Sequence, residues 1–592
     1  MRASRPSMVA IKLPSSPLFP GILSLALLLP LAAAENPYPP GPDSKHQENI
    51  PHGEVIKGSF TSGTNSVFPG TIRDYTLYLP PELDRSRRMP LLVLQDGGGY
   101  QVVNVLDNLI AKKEIPAQIG LFVTPGRVPA HSTNALDRFN RSYEYDGLGD
   151  AYARFLLNEV FPYIEKTHQV LLTTNANERA IAGASSGGIC AWTAAWERPD
   201  AFRRVFTSVG TYVGLRGGNE YPTLIRKVEP KPIRIFLQDG ENDLNIYGGD
   251  WWMANQEMER SLQFAGYDVQ HAWGAGGHDG FQATQVFPDA LRWLWRDYPA
   301  PITANPEKKS KQPVVREVLA DGSEWQLVAD GFKFTEGPAV NPQGEVFFSD
   351  IPNNRIHRIG TNGTVTVFAS DTGGVNGLMF GPDGRLYAAA GGAKQVKAYA
   401  PDGTATVITS GIEGNDLCVA ANGNLYVTEP NQKRVWLVTP SGEKRIVDEG
   451  IAFPNGVRLS PDQSLLYVAD TRGRFVWSFQ VQDDGSLAYK QRYYHLHLVD
   501  GSTQSGADGM TLDRDGRLYV ATELGVQFCD QAGRVNGILS KPQSAWLSNA
   551  VIGGPDFDTL YVTSSDKVYK RPLRTRGVQS GQPPIKPAAP RL

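Results

Sequence analysis

Two hydrophobic rhythms divide this chain. Between about Gly58 and Tyr298, short apolar runs alternate with segments whose apolar residues recur every three or four positions. The runs TIRDYTLYLP, PLLVLQDG, AQIGLFVTPG, RAIAG and PIRIFLQDG read as strands, and YARFLLNEVFPYIEKT, ICAWTAAWERP, MANQEMERSLQFAG and FPDALRWLWRDY as amphipathic helices. Alternation of this kind predicts a mostly parallel sheet with helices on both faces, over residues 58–300. From Glu324 the helical spacing almost vanishes. GEVFFSD, GRLYAAA, GNLYVTE, SLLYVAD, GRLYVAT and DTLYVTS recur instead, separated by Gly, Asn and Asp turns. Their period of about 40 residues predicts an all-β six-bladed propeller, over residues 324–579. Its longest gap, QVQDDGSLAYKQRYYHLHLVDGSTQSG, adds about ten residues to that period.

The flanking segments read differently. Residues 301–323 mix prolines with a charge run and no periodicity, the signature of a linker. Residues 35–57 are polar and proline-rich, predicting an extended segment, and 580–592 are expected to lack fixed structure. At the N-terminus, Arg2, Arg5 and Lys12 precede an apolar run from Leu18 to Leu31 and then Ala32-Ala33-Ala34. That order predicts a signal peptide at 1–34, cleaved to give a secreted or periplasmic protein with no stable membrane insertion. Pro20 and Pro30 interrupt a run already shorter than a membrane span needs.

Composition narrows the partners. A 592-residue chain that is 41% hydrophobic holds more than one core, and a net charge of −3 leaves no basic stripe for nucleic acid. Three widely separated cysteines, Cys190, Cys418 and Cys529, make no disulfide framework and no metal knuckle, and read as buried small hydrophobes.

The first chemistry lies in IAGASSGGICAW. Ser185, within Gly183-Ala184-Ser185-Ser186-Gly187, sits between a strand-like and a helix-like stretch, the layout of a nucleophile elbow in an α/β-hydrolase. A serine hydroxyl needs a base to take its proton, and the base needs a third group to hold its tautomer. The expected order of nucleophile, acid and histidine is met by Asp243, with Asp239 as competitor, and by His278, with His271 as competitor. His278 is favoured by its glycine-flanked loop, whereas His271 lies in an alternating strand pattern. Oxyanion donors are expected from the Ser186 amide and from Gly97 or Gly98 in the loop after PLLVLQDG. Arg141 and Glu144 either orient substrate or pair with each other, and their spacing favours a local ion pair.

LQDGGGY, NRSYEYDGLGDAYARFLLNEVFPYIEK, AGASSGGICAWTAAWERPDAF, FLQDGENDLN and GGH together resemble the enterochelin esterase and esterase D group, which includes acetyl xylan and feruloyl esterases. The resemblance implies a cofactor-free serine esterase with Ser185, Asp243 and His278 as its triad, and leaves the acyl group open.

In the propeller half, FTEGPAV, VNGLMF, GNDLCVA, FPNGVRLS and GADGMTLD offer Glu336, Asn376, Asn415, Asn455 and Asp508 just before or within predicted strands. Asn-Gly and Asp-Gly are also the commonest turn dipeptides of any all-β chain. Carboxylate and amide oxygens suit one hard divalent cation, calcium before magnesium, with zinc or manganese compatible through the carboxylates. Together these phrases resemble the gluconolactonase, regucalcin and senescence marker protein family. That resemblance implies Glu336, Asn455 and Asp508 as metal ligands, Asn415 against substrate or bound water, and hydrolysis of sugar lactones assisted by Asp508. ADGM stands where the family has PDGM, keeping the aspartate. Asn376 and Arg141 join the expected substrate contacts.

The expectation is an exported bifunctional hydrolase acting on small-molecule or polysaccharide esters, of acetyl or feruloyl type, and on sugar lactones. The rival expectation is a serine esterase, of siderophores among other esters, whose propeller only binds polymer or a partner. Oligomeric state is not encoded in any of these patterns.

Overall fold

The computed structural model describes residues 37–590, so the expected signal peptide at 1–34 lies outside the described residues. Residues from Tyr38 onward form one compact unit. Its α/β half is built on a ten-stranded sheet. Asp268–Gly277, Arg234–Asn242, Arg204–Ser208, Arg179–Ala184, Leu91–Gln95 and Ile119–Val123 lie side by side and parallel. Ile72–Leu79 and Glu54–Thr61 add an antiparallel edge, with two short strands, Arg127–Val128 and Arg138–Phe139, beyond.

The central strands are buried along their whole length because both faces are covered. Leu92, Leu94, Ala180 and Phe206 face a core shared with the helices Val102–Ala111 and Phe281–Trp295. Their neighbours Leu91, Val93, Ile181 and Val205 face the opposite core, filled by the helix Ser186–Glu197 and by Met258 and Leu262 of Trp251–Ala265. This is the alternation that a strand's two-residue period dictates. The helix read across YARFLLNEVFPYIEKT is broken by a π turn at Leu156–Val160, immediately ahead of Pro162. Proline cannot donate to the carbonyl four residues back, and a widened turn accommodates that loss.

Residues 38–53, expected to be extended, carry only the short turn Pro42–Ser44, and the first strand already starts at Glu54. The segment is tied down by buried groups of Val102–Ala111. Asn108 donates to the Asp43 and Lys45 carbonyls at 2.8 Å each, and Asp107 accepts from Gly53 N and Tyr78 Oη.

The second half consists of six four-stranded sheets. Five are contiguous in sequence. The sixth takes Leu547–Gly553, Thr559–Ser564 and Lys567–Pro572 from the C-terminal end and completes itself with Gln326–Ala329 from the start. This exchange closes the ring and removes a free edge. The first strands of neighbouring blades pack on one another around the axis. Cys190, Cys418 and Cys529 are buried and unpaired.

The halves are packed together, not strung on a tether. Within the segment read as a linker, Val314 and Val318 enter the core of the last blades beside Tyr519, Val526 and Leu539. Gln312 Nε2 donates to the carbonyls of Ile225 and Val228 at 2.6 Å each. Val228 bridges to Ile538, and one apolar cluster runs from Ile225 and Val228 into Leu512, Val535 and Ile538. Glu229 receives both arms of the Arg571 guanidinium at 2.8 Å, the arginine side chain being 4% exposed. The long gap between the fourth and fifth blades also reaches the α/β half. Leu148 N donates to Asp500 Oδ2 at 3.2 Å, and Lys227 Nζ lies 2.9 Å from His497 Nε2.

The tail, expected to lack fixed structure, runs instead across the far end of the propeller. Val578 N donates to Leu512 O and Ile585 N to Pro461 O. Residues 578–583 line a cavity of about 70 Å³ there, with Pro338, Leu378, Val419 and Leu459 opposite. Proline-rich chain has few donors to satisfy and supplies carbonyls and apolar rings, so it can lie on strand ends without forming an element of its own. No helix among the described residues is long and apolar enough to cross a membrane.

Removing one partner of a buried bidentate pair leaves the other charge uncompensated. Glu229→Ala should therefore destabilise the chain by about 3 kcal/mol, and calorimetry should resolve two melting transitions where the parent shows one.

Candidate functional site

The strand Arg179–Ala184 runs into Ser185, whose φ of 56° and ψ of −123° lie outside the regions L-residues ordinarily occupy, and the helix Ser186–Glu197 begins at once. Such strain persists only where surrounding contacts over-determine it. Here Ser185 N donates to Ser208 O at 2.9 Å, while its carbonyl accepts from Gly188, Ile189 and Thr211. The turn is also too tight for a side chain at its start: a Cβ on Gly183 would lie 2.2 Å from Gly187 O.

Three of the expected side chains meet at this turn. His278 Nε2 stands 2.9 Å from Ser185 Oγ, and His278 Nδ1 2.5 Å from Asp243 Oδ1. Asp243 is also held by the Leu244 amide at 2.6 Å. Burial alone would raise its pKa, but the hydrogen bonds from His278, Asp239 and Leu244 outweigh that and hold it below the ordinary value. The competitors lie elsewhere in the network. His271 Nδ1 is 2.5 Å from Glu259 Oε1, and its ring stacks on Trp273. Asp239 is fully buried behind Asp243, and burial, reinforced by Asp243, pushes its pKa up to about 9. Trp251, missed by sequence reasoning, packs edge-on against His278 and reaches Thr211, which is itself 3.4 Å from Ser185 Oγ.

Of the expected oxyanion donors, Ser186 opens its helix, where amides have no helical acceptor. Gly98 reaches only Gln95 O, at 3.5 Å. Gly97 is a correction: its amide donates to Val123 O at 3.1 Å, because the positive φ of 78° folds it back against the neighbouring strand. The Arg141 and Glu144 pair is a second correction. Glu144 is buried and takes a bidentate bond from Arg73, at 2.8 and 3.1 Å. Arg141 instead grips Asp96 at 2.7 and 2.8 Å and reaches Ala184 O at 3.3 Å, next to the candidate nucleophile. The helix Arg141–Tyr145 is too short to let a local spacing rule decide its partners.

In the propeller, the candidate residues recur at one level of the ring. Glu336-Gly337, Asn376-Gly377, Asn415-Asp416, Asn455-Gly456, Asp508-Gly509 and Ser548-Asn549 come one pair per blade. The glycines answer to crowding between blades, not to turn formation. A Cβ on Gly337 would lie 2.0 Å from Asn376 O, and one on Gly456 would lie 2.3 Å from Asp508 O. In the third and sixth blades the glycine is replaced by Asp416 and Asn549, whose side chains occupy the space over Gly377 and Gly509 of the preceding blades.

Asp416 and Asn549 went unread in the sequence, as did Arg458 and Trp546. Asn549 Nδ2 donates to Glu336 Oε2 at 3.0 Å, and Trp546 Nε1 to Asp508 Oδ2 at 2.8 Å. Arg458 Nη1 donates to Asp416 Oδ2 at 3.2 Å. Comparing dipeptides at the same point of each repeat would have found Asp416 and Asn549; nothing local marks Trp546. Asn455 donates to Thr471 Oγ1 at 3.0 Å and also bonds Asp508, while Asn376 and Asn415 stand half-buried in the same ring.

Burial raises the pKa of Glu336 to about 7, with repulsion from Asp416 adding to it. Burial and then Glu336 push Asp508 well above the carboxylate range. Among the described residues no group of three or more His, Cys, Asp or Glu side chains is placed to hold a metal ion. A set of two carboxylates and an amide falls outside that description, and two carboxylates buried on one ring, with Glu336 raising the pKa of Asp508, form a donor set that fits a hard divalent cation.

Residues 67–315 match the family model described as "Putative esterase", and residues 334–566 match that of the SMP-30/Gluconolactonase/LRE-like region. A gluconolactonase of Zymomonas mobilis is 24% identical over 305 residues, covering 45% of this chain and 85% of the relative. An iron(III) enterobactin esterase of Dickeya dadantii is 24% identical over 237 residues, covering 37% of this chain and 50% of the relative. Among solved structures, a calcium-binding regucalcin from Agrobacterium tumefaciens is 18% identical, covering 44% of this chain and 97% of that one, with a TM-score of 0.38.

Gly183→Ala forces a methyl group into the Gly187 carbonyl. It should cost about 2 kcal/mol, as overpacking does, and reduce any activity at Ser185 while leaving activity in the propeller unchanged, measured by thermal melting and paired assays.

Proposed function

We propose that this chain, an esterase half joined to a gluconolactonase-like half, is an exported bifunctional hydrolase. The front half acts as a serine esterase on sugar-linked acyl esters, and the propeller as a divalent-cation-dependent hydrolase of sugar lactones. The observation that carries the esterase reading is the continuous contact from Ser185 Oγ through His278 to Asp243, at 2.9 and 2.5 Å.

In this reading His278 Nε2 takes the Ser185 proton as the hydroxyl attacks the acyl carbon, and the Asp243 carboxylate stabilises the imidazolium that forms. The amides of Ser186 and Gly98 receive the oxyanion. His278 returns the proton to the leaving alcohol, and water then repeats the sequence on the acyl-enzyme. Arg141, anchored on Asp96, borders the site and offers its remaining donors to substrate oxygen.

In the propeller, Glu336, Asn455 and Asp508 would hold one divalent cation, calcium first. Such a cation, when bound, supplies Lewis-acid polarisation of a lactone carbonyl. The Trp546 N–H orients Asp508, which takes a proton from the attacking water. Asn376 and Asn415, on the same ring, are placed to bind sugar hydroxyls. Export rests on the charged, apolar and Ala-rich order of residues 1–34. The likeness to the Dickeya enzyme supports a second reading of the front half, in which the ester is a catecholate siderophore.

Ser185→Ala should lower ester hydrolysis by about 10³-fold or more with lactone hydrolysis intact. Asp508→Ala, or a chelator, should remove lactone hydrolysis alone. The assay is a panel of para-nitrophenyl acetate, methyl ferulate, a catecholate ester and gluconolactone, with and without added calcium. Preference for the catecholate by more than about 100-fold in kcat/KM, or about 3 kcal/mol of transition-state binding, would establish the second reading. Absence of lactone hydrolysis with calcium present would leave the propeller as a binding module.

A further inference from the structure

Behind the candidate triad lies a second carboxyl group that the proposed reaction does not use. Asp239 is fully buried on the strand Arg234–Asn242, and its Oδ1 accepts the Gly240 amide at 2.7 Å. Its Oδ2 is buried with no donor, and so is Oδ2 of Asp243. Yet the two carboxyl groups are within hydrogen-bonding distance of each other. Two ionised carboxylates cannot bond in this way, because both are acceptors only. A single proton between the two orphaned oxygens satisfies both.

Among the described residues, no lysine or arginine forms an ion pair with either carboxyl group. Asn255, from the helix Trp251–Ala265, also bonds Asp239, but its Nδ2 donates to the carbonyls of Gly210 and Trp251. Among the described residues the other titratable group bonded to the pair is His278, which holds Asp243 by the opposite oxygen. We infer that Asp239 is a neutral carboxylic acid that donates to Asp243 Oδ2 and thereby fixes the carboxylate with Oδ1 toward His278.

Asp239 is thus a positioning residue for the triad, and the inference rests on the esterase reading above. With Asp239 donating to Oδ2, and His278 and Leu244 donating to Oδ1, Asp243 has one orientation and a full set of partners. Buried acids are commonly kept neutral by their surroundings, and burial with Asp243 beside it raises Asp239 to about 9. The sign of the linkage follows. Above about pH 4 the unfolded chain releases this proton, while the folded chain keeps it until about pH 9. Its contribution to stability is therefore full in acid and is lost as pH rises toward 9.

Asp239→Asn retains both bonds, its carbonyl accepting from Gly240 and its amide donating to Asp243. Asp239→Ala retains neither. Hydrolysis of para-nitrophenyl acetate by the full chain should show kcat lowered about tenfold or more in Asp239→Ala with KM little changed, and kcat restored to within about threefold of the parent in Asp239→Asn, as loss and recovery of base orientation require. The melting temperature should fall more steeply between pH 6 and pH 9 in the parent than in Asp239→Asn, since the amide has no proton to lose. An Asp239→Asn variant as impaired as Asp239→Ala, or one whose melting follows the parent across that range, overturns the inference. Retention of ester hydrolysis by Ser185→Ala would defeat the triad reading instead, and the melting comparison would then decide the proton by itself.

Discussion

Both candidate sites depend on backbone approaching backbone more closely than a Cβ atom allows. At the elbow, Gly183 passes Gly187, and only this proximity lets a strand become a helix within one residue and leave Ser185 in a strained conformation. In the propeller, Gly337 and Gly456 let the first strands of successive blades crowd together, so that Glu336, Asn455 and Asp508 come onto one ring. Blades built with larger residues at these points would have to stand further apart, and short side chains could no longer meet across the axis. The same constraint explains why Asp416 and Asn549 stand where the other four blades carry glycine. Each fills a space that its neighbour's glycine leaves, and so adds a polar side chain to the interior.

Charge is managed in opposite ways at the two places. Around Ser185 nearly every ionised group has an assigned partner: Asp243 with His278, Arg141 with Asp96, and Arg73 with Glu144. The charges there are balanced within the chain. Around Glu336 and Asp508 the carboxylates are buried together, Asp416 raising the pKa of Glu336 and Glu336 that of Asp508, and a nearby cation, Arg458, is committed to Asp416. That imbalance suits a site whose remaining positive charge comes from outside the chain.

The join between the halves changes what the fusion means. A flexible linker raises local concentration only modestly unless the sites face each other. Here Glu229 and Arg571, the Val228 to Ile538 bridge and a continuous apolar cluster make the halves one packed body. The long gap between the fourth and fifth blades touches the α/β half through Asp500 and then leads, within eight residues, to Asp508.

By itself the sequence determined everything that depends on period and order. The two architectures follow from 3.6-residue and two-residue spacing, the six blades from six repeated phrases, and the order of candidate serine, acid and histidine from their places around strands. Those signals are local, or additive along the chain. Tertiary structure alone decided which partners the charged residues take. Arg141 left Glu144 for Asp96, and Gly97 gave its amide to Val123, because contacts between distant strands outweigh neighbours three residues apart. The helix Val102–Ala111 and the strand Arg204–Ser208 were hidden because buried polar side chains, Asp107, Asn108 and Arg204 among them, blur the apolar pattern until their partners are known. The linker and tail read as unstructured because composition records what a segment could bury alone, and these segments bury themselves against blades already built. Whether Asp239 or Asp243 faces His278 was likewise beyond the sequence. Asp239 stands four positions before Asp243 near the end of one strand, and only the packing that places Asp239 behind and turns Asp243 toward His278 distinguishes the acid from the carboxylate.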